Sequence, residues 1–268
     1  MEKIRLKNLY RSLRAKYPSV MDEDFKYIFA RVFGSFSKIF LENPAVDKSE
    51  AQKIETIIHK HLEGRPLEYI FEVAEFFGFE FKIKEGIHIP KNTTEFLIER
   101  VLAFADEKMK IIDIGCGCGN VAIVIAKLTK AQVWAVDIDD RALKIAEENA
   151  KKHGVKIKIV KSNVFDAIFE KFDIIASNPP YVSTKEVLSK SVLMQNSASL
   201  FAGSEGLDVI KKIIQQAPLH LNKGGRIFLE IGYDQGQKVS EILFRNGFKN
   251  VKIHKDLGNI PRIAEAEF

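Results

Sequence analysis

The sequence predicts an α/β fold: a mostly parallel, seven-stranded sheet ending in an antiparallel hairpin, preceded by a small helical domain and a linking β-hairpin. Three observations predict it. From residue 110 onward, short apolar runs alternate with amphipathic helical stretches, the pattern of βα units that bury a parallel sheet between two helical layers. Before residue 64, the apolar residues recur at helical spacing. After Gly247, two strand-like runs follow each other with no helix between them.

The elements follow in order. Leu6, Leu9, Tyr10 and Leu13 share one helical face, as do Phe25, Ile28, Phe29, Val32 and Phe33. Ile54, Ile57, Ile58, His61 and Leu62 repeat the pattern, and Gly34, Asn43-Pro44 and Gly64 punctuate it. Residues 1–64 are therefore expected to form a helical bundle with an aromatic core, a candidate for substrate recognition. In 65–90 the period changes: Phe77, Phe79, Phe81 and Ile83 alternate with polar residues or glycine, which predicts a β-hairpin linker. Residues 91–268 form the third segment, the expected catalytic domain. Thr93-Thr94-Glu95 is expected to open its first helix, a threonine hydroxyl capping the free N–H groups, with Phe96, Leu97, Val101 and Leu102 as the buried face. Strands are then expected at 110–114, 132–136, 156–160, 172–177 and 226–231. The helices between and after them fall at 120–128, 140–153, 206–221 and 235–246, and the closing hairpin at 249–253 and 260–267.

Composition bounds the function. Apolar residues make up 46% and charged residues 29%, an ordinary globular balance. No apolar run reaches the roughly 18 residues of a membrane span. The first ten residues alternate charge with apolar side chains and carry no signal-peptide core, so a cytoplasmic protein is expected. The net charge of +5 permits an anionic partner without demanding one, because the lysines are spread along the chain. Cys116 and Cys118 are too close to cross-link distant segments, and the six histidines show no metal-ligand spacing; a reducing compartment and no metal are expected.

The turn after the first strand of the βα series reads Asp113-Ile114-Gly115-Cys116-Gly117-Cys118-Gly119-Asn120. Glycines at alternate positions let the backbone turn sharply and approach a ligand closely. A dinucleotide fingerprint would carry its third glycine one position later, and a Walker loop would need Gly-Lys-Ser/Thr. Asp137 ends the next strand about twenty residues on, where an acid suits two vicinal ribose hydroxyls. Asp113 can face an ammonium group, while Asp139 and Asp140 suit a helix cap. A nucleoside that bears an amino acid and no phosphate is S-adenosylmethionine; NAD on a Rossmann-like domain is the alternative. Cys116 and Cys118 read as small side chains in a tight turn, since neither has a partner base.

Ser177-Asn178-Pro179-Pro180-Tyr181 follows the fourth strand, at the carboxyl end of the sheet where ligands of open α/β folds bind. Two prolines remove two N–H donors and fix φ. The Asn178 side-chain oxygen and the Pro179 carbonyl can together accept both hydrogens of an NH₂ group. Tyr181 can stack on a flat acceptor and exclude water. An amide or aminopurine nitrogen is a weak nucleophile, so holding it in line, roughly 3–3.5 Å from a methyl carbon, supplies much of the rate. Asn178, Pro179 and Tyr181 are the catalytic candidates, and Asn178 to Tyr181 the substrate loop; a purely structural proline turn is the alternative.

These motifs resemble the HemK/PrmC family, the methyltransferases of the glutamine amide in peptide-chain release factors. The resemblance runs through Gly64-Arg65-Pro66-Leu67-Glu68-Tyr69-Ile70, Glu75-Phe76-Phe77, Ile89-Pro90, Thr94-Glu95, the glycine loop, Asn178 to Tyr181, and Gly206-Leu207-Asp208. The Asn-Pro-Pro-Tyr motif alone is shared with DNA adenine-N6 methyltransferases. The resemblance implies a class I S-adenosylmethionine-dependent methyltransferase fold. It implies cofactor contacts at Asp113, Gly115, Cys116, Gly117, Cys118, Gly119, Asp137, Asn163, Val164 and Asn178, no metal, and class I release factors as protein substrates with no need of nucleic acid. The chain departs from the family pattern at Lys91-Asn92 (usually Arg-Pro), at Asn196 to Leu200 (usually Glu-Pro-x-x-Ala-Leu), at Asn163 (usually acidic), and at Gly258 to Arg262. The expected function is methylation of the glutamine N5 in a Gly-Gly-Gln loop. The alternatives are a nucleic-acid exocyclic-amine methyltransferase, against which the small, near-neutral N-terminal region speaks, and a binding protein that keeps only the fold.

Overall fold

The computed structural model describes residues 3–186, 194 and 200–268. They form two compact units, Met1–Glu72 and Val73–Phe268.

The first unit contains β1 (Lys3–Arg5), α1 (Leu6–Lys16), α2 (Asp22–Phe33), α3 (Phe36–Glu42), β2 (Ala45–Asp47), α4 (Lys48–Leu62) and α5 (Leu67–Phe71). Leu6, Phe25, Ile28, Phe29, Ile54 and Ile58 are fully buried between the helices. The Tyr10 ring stands edge-on to Phe25, Phe29, Phe36 and Phe40 at 5.1–5.5 Å, each such contact adding about 0.5–1.5 kcal/mol beyond burial. The expectation of a purely helical unit needs correction. β1 and β2 pair antiparallel, with Ile4 opposite Val46. Three residues are too few for a period-two signal. Asn43, left-handed at φ 41°, turns the chain into β2 and accepts the Lys7 N–H. Residues 67–71 are also helical rather than extended, because Leu67, Ile70 and Phe71 pack on this unit's core.

The second unit opens with β3 (Val73–Phe76) and β4 (Phe79–Lys82), a hairpin in which Phe76 pairs with Phe79. Phe77, expected in a strand, sits in the turn at φ 50°. Then come α6 (Asn92–Leu102), β5 (Lys110–Ile114), α7 (Asn120–Thr129), β6 (Gln132–Asp137), α8 (Asp140–His153), β7 (Lys158–Lys161) and β8 (Phe172–Ser177). After the acceptor region follow α9 (Asp208–His220), β9 (Leu221–Glu230), α10 (Gly236–Arg245), β10 (Lys249–Lys255) and β11 (Pro261–Glu267). The sheet has seven strands in the order β10-β11-β9-β8-β5-β6-β7. All neighbours are parallel except β9–β11 and β11–β10, so the α/β fold with its closing antiparallel hairpin is as expected. Its core is apolar on both faces, with Ile112, Ile175, Phe172 and Leu229 fully buried.

The order places β8 beside β5, although two strands separate them in sequence. Their carboxyl ends are the switch point at which open α/β sheets bind ligands. The expected threonine cap of α6 also needs correction. The residue before that helix is Lys91, which makes no side-chain cap, and the Thr93 and Thr94 hydroxyls donate instead to the buried Glu230. The helix starts one residue earlier than expected, so both threonines face inward, and a carboxylate is a stronger acceptor than water.

The hairpin is fastened to the second unit by side chains that grip its backbone. Glu95 accepts the Phe77 N–H at 2.6 Å. Asn149, fully buried on α8, accepts the Lys82 N–H at 2.7 Å and donates to the carbonyls of Lys82 and Cys118, both at 2.9 Å. One carboxamide thus ties the hairpin to the glycine-rich loop. Asn149→Ala strands three buried backbone groups, at a cost of about 2 kcal/mol, and should lower the melting temperature by about 4–8 °C. Differential scanning calorimetry measures this directly; an unchanged melting temperature would show that water replaces the clasp.

Candidate active site

The loops that leave β5 and β8 form one cavity of 410 Å³. Ile114 and Ser177 are register partners, and the Ser177 hydroxyl donates to the Ile114 carbonyl at 2.6 Å. That bond holds the two loops side by side where they leave the sheet.

Gly115, Gly117 and Gly119 all have positive φ (75°, 53° and 82°), which explains their spacing: the loop turns left-handed at every second residue. Its N–H groups point back to the neighbouring strand, Gly115 and Cys116 donating to the Val136 carbonyl and Gly117 to Asp137 Oδ2 at 2.9 Å. Asp137 Oδ1 accepts the Asp139 N–H at 2.9 Å. Each oxygen keeps a further lone pair for a ligand hydroxyl. Gly115, Cys116, Gly117, Asp113 and Asp137 line the cavity; Cys118 and Gly119 do not. Gly119 is needed for packing, since a Cβ there would press on Ala146 and Ile123. Burial pushes the Cys116 thiol well up and the Cys118 thiol up to about 12, so neither is a nucleophile. Asp139 caps α8 by accepting the Arg141 N–H, as expected. Asn163 and Val164 both line the cavity, Asn163 with an exposed side chain and Val164 buried. Val164 is left-handed at φ 59°, a strain of about 1–3 kcal/mol for a β-branched residue.

Asn178, Pro179, Pro180 and Tyr181 all line the same cavity. Asn178 Nδ2 donates to Thr94 Oγ1 at 2.9 Å, and Thr94 Oγ1 donates to Glu230 Oε2 at 2.7 Å. Tyr181 Oη donates to Glu230 Oε1 at 3.4 Å, and burial beside that carboxylate pushes its phenol well up. Behind the loop, Gln235 donates to the carbonyls of Tyr181, Glu205 and Gly206, while its own oxygen accepts the Gly232 N–H. Gly206 has φ 68°, and a Cβ there would run into the Tyr181 carbonyl. This close approach is the physical content of the Gly206-Leu207-Asp208 motif. Sequence reasoning missed Glu230 and Gln235 and read Thr94 only as a cap. Of the departures, Lys91 lines the cavity, and residues 196–199 lie outside the described residues. Among the described residues no three histidine, cysteine or acidic groups form a metal cluster, and no helix is long and apolar enough to cross a membrane.

Comparison with known proteins decides the family. Residues 89–201 match the model described as "Methyltransferase small domain". The release factor glutamine methyltransferase of Streptococcus pneumoniae is 38% identical over 223 residues, covering 81% of this chain and 80% of the relative. That of Lactococcus lactis is 40% identical over 213 residues, covering 76% and 78%.

The chain belongs to the release factor glutamine methyltransferase family.

It is therefore a methyltransferase of the S-adenosylmethionine-dependent kind. The fold agrees: the crystal structure of a methyltransferase from Pyrococcus furiosus superposes with a TM-score of 0.58 at 18% identity, covering 81% of this chain and 97% of that one.

The cavity fits the family's cofactor better than a dinucleotide. Its lining carries Asp113 and Asp137, a surround that suits a sulfonium and an ammonium. Moreover, a pyrophosphate would need the first turn of α7, where Ala122 N–H already donates to Asp113 Oδ2 at 3.2 Å. Burial, with the charge of Asp137 nearby, pushes the Asp113 carboxyl up to about 7.

A cofactor ammonium beside Asp113 would make binding pH-dependent. Below about pH 7 the free protein holds Asp113 mostly protonated, and a bound ammonium favours the ionised form and lowers its pKa. A proton should therefore leave on binding, and affinity should rise from about pH 6 to about pH 7. Calorimetry with S-adenosylmethionine in two buffers of different ionisation enthalpy measures the proton count. The release should vanish in Asp113→Asn; one that persists there would belong to another group.

Proposed function

We propose that this chain transfers the methyl group of S-adenosylmethionine to the side-chain amide nitrogen, N5, of the glutamine in the Gly-Gly-Gln loop of class I peptide-chain release factors. The observation that carries the proposal is the state of Asn178. Its NH₂ is already bonded to Thr94, so its oxygen is the atom left to meet an incoming NH₂ group. A primary amide has two N–H bonds to donate; Asn178 Oδ1 and the Pro179 carbonyl supply two acceptors in a loop whose prolines offer no competing donor.

Each residue then has a role. Asp113 and Asp137 hold the amino-acid and ribose ends of the cofactor; Gly115, Cys116 and Gly117 give it backbone to lie against, and Asn163 and Val164 flank its base. The bound cofactor supplies an electrophilic methyl group on a cationic sulfur. Asn178 and Pro179 orient the acceptor nitrogen and stabilise the positive charge that grows on it. Tyr181 covers the acceptor plane and keeps water out. Residues 91–268 act as the catalytic domain, 65–90 as the linker, and 1–64 as the part that recognises the release factor. The reading implies the cytoplasm, where translation runs, and requires neither nucleic acid nor metal. The relatives are named for a protein substrate, which disfavours the nucleic-acid alternative.

Purified release factor, tRNA and duplex DNA, each incubated with methyl-labelled cofactor, test the substrate. Label should enter the release factor alone and be lost when the glutamine of its Gly-Gly-Gln loop is changed to alanine. Label in RNA or DNA instead would overturn the proposal. For the loop, Asn178→Ala should slow single-turnover transfer by about 10²-fold, comparable to losing one transition-state hydrogen bond, with little change in cofactor affinity. Equal rates would reduce the loop to a structural turn.

A further inference from the structure

A carboxamide has two orientations related by a half-turn, equal in shape and opposite in hydrogen bonding. In one, Asn178 presents its oxygen to the cavity; in the other it presents NH₂, which repels an acceptor NH₂. Something must choose between them.

The choice can be traced through three side chains. Glu230, at the carboxyl end of β9, is 1% exposed, and it accepts from three hydroxyls: Thr94 at 2.7 Å, Thr93 at 3.2 Å and Tyr181 at 3.4 Å. All three hydroxyls are placed to donate, the arrangement an ionised carboxylate imposes, since it can only accept. Thr94 is 2% exposed and owns a single hydroxyl proton. That proton is committed to Glu230, so Thr94 turns a lone pair toward Asn178. Only the NH₂ of Asn178 can satisfy it, and the oxygen is thereby turned to the cavity. We propose that Glu230 and Thr94 are positioning residues that set the orientation of the Asn178 carboxamide and so make it an acceptor of the substrate's NH₂ group.

Burial raises the Glu230 carboxyl pKa, while the hydroxyls of Thr94, Thr93 and Tyr181 and the charge of Lys91 act in the other direction. The relay is indifferent to the identity of the macromolecule; it rests on the reading that Asn178 binds the acceptor nitrogen.

The test compares Asn178→Ala, Thr94→Val and Thr94→Ser as full-length enzymes loaded with S-adenosylmethionine, using a purified release factor as substrate. Single-turnover rate, release-factor KM and cofactor affinity are measured together. Thr94→Val keeps the shape and removes the relay, so Asn178 must bury an unpaired NH₂ whenever its oxygen faces the substrate. We expect the rate to fall about tenfold or more, with cofactor affinity within about threefold of wild type. Thr94→Ser keeps the hydroxyl and should restore the rate to within about threefold of wild type. Thr94→Val combined with Asn178→Ala should be no slower than Asn178→Ala alone, since both act through one group. If Asn178→Ala is slow but Thr94→Val is not, the relay is wrong and the acceptor loop stands. If Thr94→Ser is as slow as Thr94→Val, the role of Thr94 is packing and the relay is again wrong. If Asn178→Ala is as fast as wild type, the acceptor-loop reading itself fails. Should Thr94→Val not fold, Glu230→Met replaces it. With no carboxylate to receive it, the Thr94 proton turns to Asn178, and the same rate loss is expected; a folded Glu230→Met with wild-type rate overturns the proposal.

Discussion

The site depends on one strand pairing. β5 and β8 are neighbours in the sheet although two βα units lie between them in sequence, and their register sets Ile114 against Ser177. Both strands end there, so the glycine loop and the asparagine-proline loop start from the same line, joined by the Ser177–Ile114 hydrogen bond. A shift of register by one residue would point Asp113 and Ser177 to the opposite faces of the sheet. The register joins four residue pairs, from Ile111–Ile174 to Ile114–Ser177, in strands buried on both faces. On the proposed reading, this pairing of β5 with β8 is what aligns cofactor and acceptor.

Each loop is then made rigid by a different device. The glycine loop is held from one side by backbone donors to Val136 and Asp137, and from the other by Asn149, which reaches the Cys118 carbonyl. The acceptor loop has lost donors to proline, so it is held by groups that need only its carbonyls or its side chains. Gln235 takes the Tyr181 carbonyl, and Glu230 collects the hydroxyls of Tyr181 and Thr94. Removing N–H groups leaves carbonyls free for a substrate, but it also removes the usual means of pinning a loop. Buried side chains from β9, α6 and the turn after β9 take over that task.

This division explains what the sequence made legible. The glycine spacing, the acids at the ends of β5 and β6, and the Asn-Pro-Pro-Tyr run are local: each declares its chemistry within a few residues. Thr94, Glu230 and Gln235 are not local. Thr94 meets Glu230 across 136 positions of chain, and nothing near either residue points to the other. Thr94 was misread because a hydroxyl before an apolar helical face normally caps it, and here a buried carboxylate outcompetes the helix end. Glu230 did carry a signal. It is an acid that ends the apolar run Ile227-Phe228-Leu229 of β9, a position like those that singled out Asp113 and Asp137. The short β1–β2 pair and α5 escaped because three to five residues cannot display a period, and tertiary packing decided their form.

The same geometry decides where the rate must come from. The two thiols near the cofactor loop are buried and their pKa values are raised, with a carbonyl of Gly117 and the Asn120 side chain as their partners, so no covalent relay runs through them. The Tyr181 phenol is held protonated beside Glu230 and cannot serve as a base. Glu230 has no free face toward the cavity; its oxygens are occupied by three hydroxyls. Asp113 accepts the Ala122 N–H in the first turn of α7 with one oxygen and, on the proposed reading, faces the cofactor rather than the acceptor. On that reading the acceptor nitrogen meets the neutral oxygens of Asn178 and Pro179, which line the cavity, the Asn178 carboxamide held by Thr94. Such a set cannot strip a proton from an amide before attack, but it can hold the nitrogen in line and meet the positive charge that appears as the bond forms. On the proposed reading a weakly nucleophilic amide is activated by orientation, and the buried Thr94 and Glu230 serve to aim the Asn178 carboxamide.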